Sequence, residues 1–329
     1  MTERISYFDF LRGIAILMVI GIHTYTVRPF DGFENVLLIG VREALNFAVP
    51  LFLAISGFFI GKKTIEDKQN YVAFIKKQVP RVYLPMLVWS FPVVLLWIYK
   101  GQNILLAVGK SMAGMAFGPY YFIPLIFQLY LLHPIIKKLA LKPILGGGIL
   151  LIINAISVLL LIYVFGKKSL PIVLAVGPFI YWVIFYFIGV YLSDNKRGYS
   201  LWVSVVFIVV GFVVQMCESK YLMLIGQVGV GLKLSSWTYA AGMVLLLFSS
   251  KMEKVLSSDN AIFRTIVKIG EFSFGIYLAH VYVLLFRNSF PMNESWPVSF
   301  ILVAVLTTAL VMVLRKILPE NLWRIVGIK

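Results

Sequence analysis

Long apolar stretches separated by short polar connections run the length of this chain. About ten of them reach or approach the length of a bilayer crossing: 8–27, 43–61, 82–99, 119–136, 143–165, 171–192, 201–216, 236–250, 270–287 and 297–318. The seventh and eighth are short. A weakly apolar stretch at 102–118 reads as interfacial or re-entrant. A crossing helix needs about 20 apolar residues. With no water in the bilayer core, the backbone must satisfy its own hydrogen bonds, so runs of this kind are helices. The expected fold is all-α: a polytopic membrane protein of about ten transmembrane helices, forming one domain over residues 1–329.

Polar residues inside these runs carry the next layer of information. The first run reads FDFLRGIAILMVIGIHTYTV, with Arg12 near its start and His23 in its second half. An ionisable group inside a spanning helix is costly and marks a functional site by default. Eleven residues separate the two, so they differ by about 20° around the helix and by about 16 Å along it. One face thus presents a cation near the membrane surface and an imidazole expected near mid-depth. Such a face fits a long anionic ligand held at one end with chemistry at the other. Asp9 lies three residues before Arg12, close enough to orient it.

The other two histidines also fall in or beside spans. His280 ends IGEFSFGIYLAH, at a depth that could match His23, and His133 lies in YLLHPII beside Pro134. A span histidine serves equally as an interhelical hydrogen-bond partner. In FIKKQVPRVYLP, Lys77 and Arg81 share a face if the segment is helical, although Pro80 could interrupt the turn. The pair reads either as ordinary flanking charge or as a phosphate clamp. Ser56-Gly57 permits close helix packing. Tyr120, Tyr121 and Gln128 read as an aromatic belt at the outer interface, the favoured reading, or as contacts to the acceptor.

Charge adds topology. With the N-terminus in the cytoplasm, ten spans put 21 of the 30 basic residues on the cytoplasmic side against 9 outside, and both termini are then cytoplasmic. The net charge of +16 is mostly this asymmetry together with attraction to anionic lipid heads. With no basic soluble domain expected, nucleic acid is not an expected partner. The first run is too long for a signal peptide, lacks a small-residue cleavage site and carries Arg12 within it. Cys217 is the single cysteine, which rules out an internal disulfide and a cysteine metal cluster. The glycines of GQVGVG, 226–231, have no strand–turn–helix context, and there is no Walker loop or Gly-x-Ser-x-Gly elbow.

The opening YFDFLRGIAILMVIGIHT resembles the signature of the membrane acyltransferase-3 family of polysaccharide O-acyltransferases, here Asp9, Arg12, Gly13 and His23. VPLFLAISGFFI, FIKKQVPRVYLP, PYYFIPLIFQLYLLHPII, YFIGVYLS and IGEFSFGIYLAH resemble later motifs of the family, in order, over nearly the whole chain. Two positions depart from the pattern. Gln78 stands where the third-span motif has its first arginine. Asn46-Phe47-Ala48 occupies the neighbourhood before Val49-Pro50 where an arginine is common.

The resemblance implies a multi-pass cell-membrane enzyme that moves an acyl group, most often acetyl from acetyl-CoA, to a hydroxyl of a carbohydrate or envelope glycan. It implies no metal. Arg12, Lys77 and Arg81, with Asp9, would hold the donor, and His23 and His280 are the candidate catalytic residues. The pantetheine arm, on the order of 15 Å long, matches the rise from Arg12 to His23. His23 would act as general base or accept the acyl group itself. Gln78→Arg, which restores the family pattern, is expected to be tolerated or to tighten donor binding. The alternative is a transporter, since a membrane domain of the same family occurs fused to amino-acid racemase domains.

Overall fold

The computed structural model describes residues 3–26, 29–63, 65, 67–166, 170–194, 200–227, 231–257, 260–290 and 295–328, and for 3–5 the backbone alone. Several sequence expectations fall outside these residues. They are Val27 at the end of the first run, Lys196, Arg197 and Lys329 of the basic tally, 228–230 of the glycine-rich loop, and parts of the connections at 64, 66, 258–259 and 291–294.

Sixteen α-helices and no strand are found among the described residues. In order they are α1 (Glu3–Thr24), α2 (Gly32–Ala44), α3 (Ala48–Gly61), α4 (Lys68–Tyr99), α5 (Ile104–Met112), α6 (Phe122–Ala140), α7 (Pro143–Leu159), α8 (Ile172–Val176), α9 (Val183–Asp194), α10 (Leu201–Leu224), α11 (Leu234–Phe248), α12 (Ser250–Leu256), α13 (Ala261–Glu271), α14 (Ser273–Asn288), α15 (Trp296–Ile317) and α16 (Glu320–Val326). Seven helical stretches are long and apolar enough to cross a membrane, or eight if α13 and α14 count as one bent span; α9 and α11 are shorter apolar helices. The protein is thus an all-α polytopic membrane protein, with a helix for each apolar run.

The boundaries differ from the periodicity in instructive ways. The polar connection expected at 62–78 is largely helix, because α4 starts at Lys68, capped by the Asp67 side chain accepting from Asn70 N at 2.7 Å. It continues to Tyr99 through Pro80, Pro85 and Pro92, as spanning helices tolerate. The seventh run extends through Cys217 to Leu224. The sixth is two helices joined by a 3-10 turn at Phe179–Tyr181, and the ninth breaks at Phe272. The stretch at 102–118 holds the short α5.

The chain divides into two compact units, one of residues 1–63, 135–170 and 180–271, the other of 64–134, 171–179 and 272–329. In the first unit, α1 packs on α3 and α13, α3 on α9, and α10 on α11. The α1–α13 crossing is a backbone contact. A Cβ on Gly270 would sit 1.7 Å from the Asp9 carbonyl oxygen, and one on Gly13 would sit 2.2 Å from that of Ile266. The α3–α9 crossing is built the same way: Gly57 faces the Tyr186 carbonyl and Gly189 that of Ala54, as the Ser56-Gly57 pair led one to expect. Around these contacts Phe8 stacks on Phe58 at 4.7 Å and meets Phe248 edge-on at 5.4 Å. The Tyr7 hydroxyl donates to the Leu247 carbonyl at 2.7 Å.

In the second unit, α4 packs on α5, α14 and α16, and α14 on α15. Hydroxyls and indoles tie backbone carbonyls throughout. Tyr120 donates to Leu278 O at 2.8 Å and Trp89 Nε1 to Val326 O at 2.9 Å, while the Tyr277 and Tyr282 hydroxyls bond Pro119 O and Trp89 O. Tyr120 is fully buried, and Gln128 donates to Gly177 O and accepts from Phe179 N. The aromatic belt expected at Tyr120 and Gln128 is instead internal scaffolding, because a carbonyl inside a membrane protein needs a donor that lipid cannot supply.

Gly270→Ala and Gly57→Ala are expected to lower thermal stability in detergent by at least the 1–3 kcal/mol typical of overpacking, since the obstructing atoms are backbone. Gly109→Ala, in α5 with open space around the added methyl, should be neutral or slightly stabilising. Equal unfolding temperatures for all three variants would contradict this account of the crossings.

Candidate functional site

The α1 site is built from its N-terminal half outward. The backbone contact with α13 fixes the turn that carries Asp9 and Arg12. Asp9 accepts from the Arg12 guanidinium at 2.6 Å, in a pair whose side chains are 9% and 32% exposed respectively. Arg12 also lies 5.0 Å from the Phe59 ring centroid on α3. The Lys62 ammonium is 4.2 Å from the Phe58 ring centroid and 5.7 Å from that of Phe59, so two cations share one aromatic platform at the C-terminal end of α3. Lys137 caps that end, donating to the carbonyls of Gly61 at 2.7 Å and Lys63 at 3.0 Å. Arg12 therefore keeps an accessible, oriented guanidinium in a cluster of positive charge.

His23 occupies the last turn of α1 and is exposed. The sequence placed it inside the span near mid-depth. The helix ends at Thr24, whose hydroxyl turns back to the carbonyls of Ile20 at 3.0 Å and Gly21 at 3.2 Å. The imidazole is consequently at the end of α1. The spacing from Arg12 along the axis, about 16 Å, is unaffected because the helix between them is continuous.

The remaining sequence candidates lie in the second unit. Lys77 and Arg81 are exposed and four residues apart on an unbroken α4, Pro80 notwithstanding. Gln78 points the other way and is 6% exposed. Gln78→Arg would therefore place a guanidinium where the wild type buries an amide. His280 is fully buried on α14, with Nδ1 2.5 Å from the Tyr277 carbonyl. A carbonyl only accepts, so Nδ1 carries the proton and Nε2 is left as the basic nitrogen of the neutral ring. His133 is fully buried, its ring 5.9 Å from that of Phe74, which is the packing role available to a span histidine. Asp9, Arg12 and His23 are thus gathered on one helix, while Lys77 and Arg81 share another.

Sequence reasoning missed a second charged cluster in the first unit. Glu43 on α2 and Lys233, the N-cap of α11, form an ion pair in which both side chains are 0% exposed. Asn46 donates to Glu43 Oε2 at 2.8 Å, and the nearly buried Arg42 donates to Asn46 Oδ1 at 2.7 Å. Arg42 and Lys233 were counted as outer-loop charges, yet both are internal. Arg42 also brings a guanidinium to Asn46. Burial pushes the Lys233 ammonium below its usual pKa, and the facing Glu43 carboxylate opposes that. The only sequence signal was position: two charged residues about two turns before the Val49-Pro50 segment.

Residues 5–316 match the family described as an acyltransferase domain. The chain belongs to the acyltransferase-3 family. It is 26% identical over 295 residues, 82% of this chain and 78% of the relative, to "Putative membrane-bound acyltransferase YfiQ" of Bacillus subtilis (strain 168). It is 37% identical over 79 residues to "Amino-acid racemase" of Enterococcus faecalis, a stretch covering 23% of this chain and 11% of that one. No solved structure matches. The protein is a membrane acyltransferase of this family, which implies an acyl donor and an acceptor.

The contrast between the histidines is testable through stability. Replacing buried His280 by Ala is expected to lower the unfolding temperature, removing about 1 kcal/mol of hydrogen bond and more in packing. His23→Ala, at an exposed helix end, should stay within about 0.5 kcal/mol of wild type. Scanning fluorimetry of both purified variants decides, and a larger loss for His23→Ala would contradict the placement.

Proposed function

We propose that this family member is an O-acyltransferase of the cell membrane that takes an acyl group, most simply acetyl, from acyl-CoA on the cytoplasmic side. The acceptor is a hydroxyl of a carbohydrate or lipid-linked envelope glycan, met within the bilayer or at its outer face. One observation supports this reading above the others: an accessible guanidinium, oriented by Asp9, and an exposed imidazole lie on one continuous helix at about the length of a pantetheine arm. The nucleotide phosphates fit Arg12, and the thioester then reaches toward His23; Lys77 and Arg81, on the other unit, are further candidates for phosphate by their charge and exposure. The adenine nucleotide cannot cross lipid, whereas an acyl group carried along α1 can.

At the thioester His23 has two courses. As general base it takes the proton of the acceptor hydroxyl while the oxygen attacks the carbonyl carbon. The C–S bond breaks, and the imidazolium returns the proton to the departing thiolate. As nucleophile it forms an acyl-imidazole, releases CoA, and passes the acyl group on. Release of CoA without acceptor, in a burst equal to the enzyme present, would mark the second course.

His23→Ala should abolish transfer of radiolabelled acetyl from acetyl-CoA to the membrane glycan fraction while the protein remains folded. An active His23→Ala enzyme would sink this mechanism and leave His280 to be tested. Arg12→Ala, Lys77→Ala and Arg81→Ala should each weaken acetyl-CoA binding by about one to two decades, from charge-assisted bonds of about 1.5–3 kcal/mol. Binding of a pantetheine thioester without nucleotide phosphates should hardly change. Equal losses for both donors would show that these cations do not hold phosphate. In sealed vesicles, product formed only when donor and an impermeant acceptor share the cytoplasmic face would refute transfer across the membrane and leave the acyltransferase assignment standing.

A further inference from the structure

The Glu43–Lys233 pair lies outside the donor machinery, beside the turn that precedes α3. Helices α1 and α3 run antiparallel: Phe8 near the start of α1 meets Phe58 and Phe59 near the end of α3, and α1 also packs on the 3-10 turn that precedes α3. From Arg12, His23 is eleven residues along α1, about 16 Å. The turn, Leu45–Phe47, lies a similar distance back along α3, twelve to fourteen residues before Phe59.

The turn interrupts the stretch Gly32–Gly61, which otherwise reads as a single crossing. Several groups around the interruption are tied down within the first unit. The carbonyl of Glu43 accepts from Gln215 Nε2 at 3.3 Å, and that of Ala44 from the Tyr239 hydroxyl at 2.8 Å. The side chain of Glu43 pairs with Lys233 and accepts from Asn46. Glu218, one turn beyond Gln215, receives the N–H groups of Leu234 at 3.3 Å and Ser235 at 2.9 Å and so anchors the start of α11 beside Lys233. Despite these bonds, Glu43 Oε1 and Gln215 Oε1 are buried without a hydrogen-bond partner. A wholly buried, incompletely satisfied ion pair returns less stability than an apolar pair of the same size. Fixing one geometry for the break is what it does supply.

We propose that Glu43 and Lys233, with Gln215 and Tyr239, are positioning residues that lock the turn Leu45–Phe47 and thereby hold the His23 end of α1 in register for acyl transfer. This rests on the reading of His23 as the transfer residue. The lock acts about 16 Å from Arg12, so it governs transfer and leaves donor binding alone.

The test uses the full-length enzyme in detergent or vesicles. Glu43→Gln and Lys233→Met alone each leave one partner without its counter-charge and should lower folded yield. The double variant, neutral and of similar volume, should regain folded yield and bind acetyl-CoA within twofold of wild type. Its kcat for labelling membrane glycan from acetyl-CoA should nevertheless be at least tenfold lower, with donor KM unchanged. Tyr239→Phe removes one hydroxyl and keeps the ring, and should lower kcat severalfold in the same manner. A direct readout is carbethoxylation of His23 by diethyl pyrocarbonate, followed by mass spectrometry; His133 and His280 are fully buried. The rate at His23 should change severalfold in the double variant and in Tyr239→Phe. Wild-type kcat and wild-type His23 reactivity in the double variant would overturn the proposal, leaving the pair as packing only. So would a double variant that fails to fold while Tyr239→Phe keeps full kcat and reactivity. A wild-type enzyme that labels no glycan, but in which these variants still change His23 reactivity, would instead strike the acyl-transfer reading and spare the positioning role.

Discussion

The contact between the Asp9 carbonyl and Gly270 is the constraint on which the candidate site depends. A side chain at either Gly13 or Gly270 would collide with backbone of the facing helix. Two helices so close cannot rotate against each other without breaking that contact, and α1 is consequently held at one azimuth. Asp9 and Arg12 lie on the turn that makes the contact, so their direction is set by main chain, which is stiffer than any side-chain packing. In a bilayer, where apolar surface is no reason for helices to associate, close approach of backbones is a principal source of helix–helix specificity. Gly13 and Gly270 are thus part of the site's construction.

Around that clamp the first unit handles charge in three ways. Arg12 keeps its charge at the surface of the fold, half satisfied by Asp9 and laid on Phe59. Lys137 spends its charge on the C-terminal carbonyls of α3, where a cation is favoured by the helix dipole. Lys233 is buried completely against Glu43. Only the first arrangement leaves a cation with donors to spare for a ligand. This difference in satisfaction, more than the mere presence of arginine in a span, separates a binding group from a structural one.

Much of this was legible in the sequence because it depends on local period. The apolar runs gave the helices, and the eleven-residue interval gave the shared face of Arg12 and His23, since both follow from the geometry of a single helix. The pairing of Glu43 with Lys233 was not legible, because it joins residues 190 apart and nothing in either neighbourhood encodes the other. Tyr120 misled for the same reason: a tyrosine near a span end looks like an interface anchor until the carbonyl it serves, at Leu278, is known. The extension of α4 to Lys68 was hidden because its first turns are polar, and hydropathy marks where a helix is apolar, not where it begins. The end of α1 at Thr24, one residue after His23, was not legible either, because the apolar run continues past it.

Burial separates the histidines in a way that sequence could not. His280 has no exposure, and its Nδ1 proton is committed to its own helix at Tyr277, an arrangement that fixes the ring and its tautomer. His133 is enclosed beside Phe74. His23 stands at a helix end, exposed, with the chain leaving the helix immediately after it. A group that must meet a thioester and a hydroxyl from different directions needs such a position, because a reacting centre enclosed by its own helix neighbours leaves no line of approach for a second substrate. The turn Leu45–Phe47 packs on α1, with charged and polar groups fastened behind it, and in the proposed transfer it is the part of this unit that keeps that end of α1 in register.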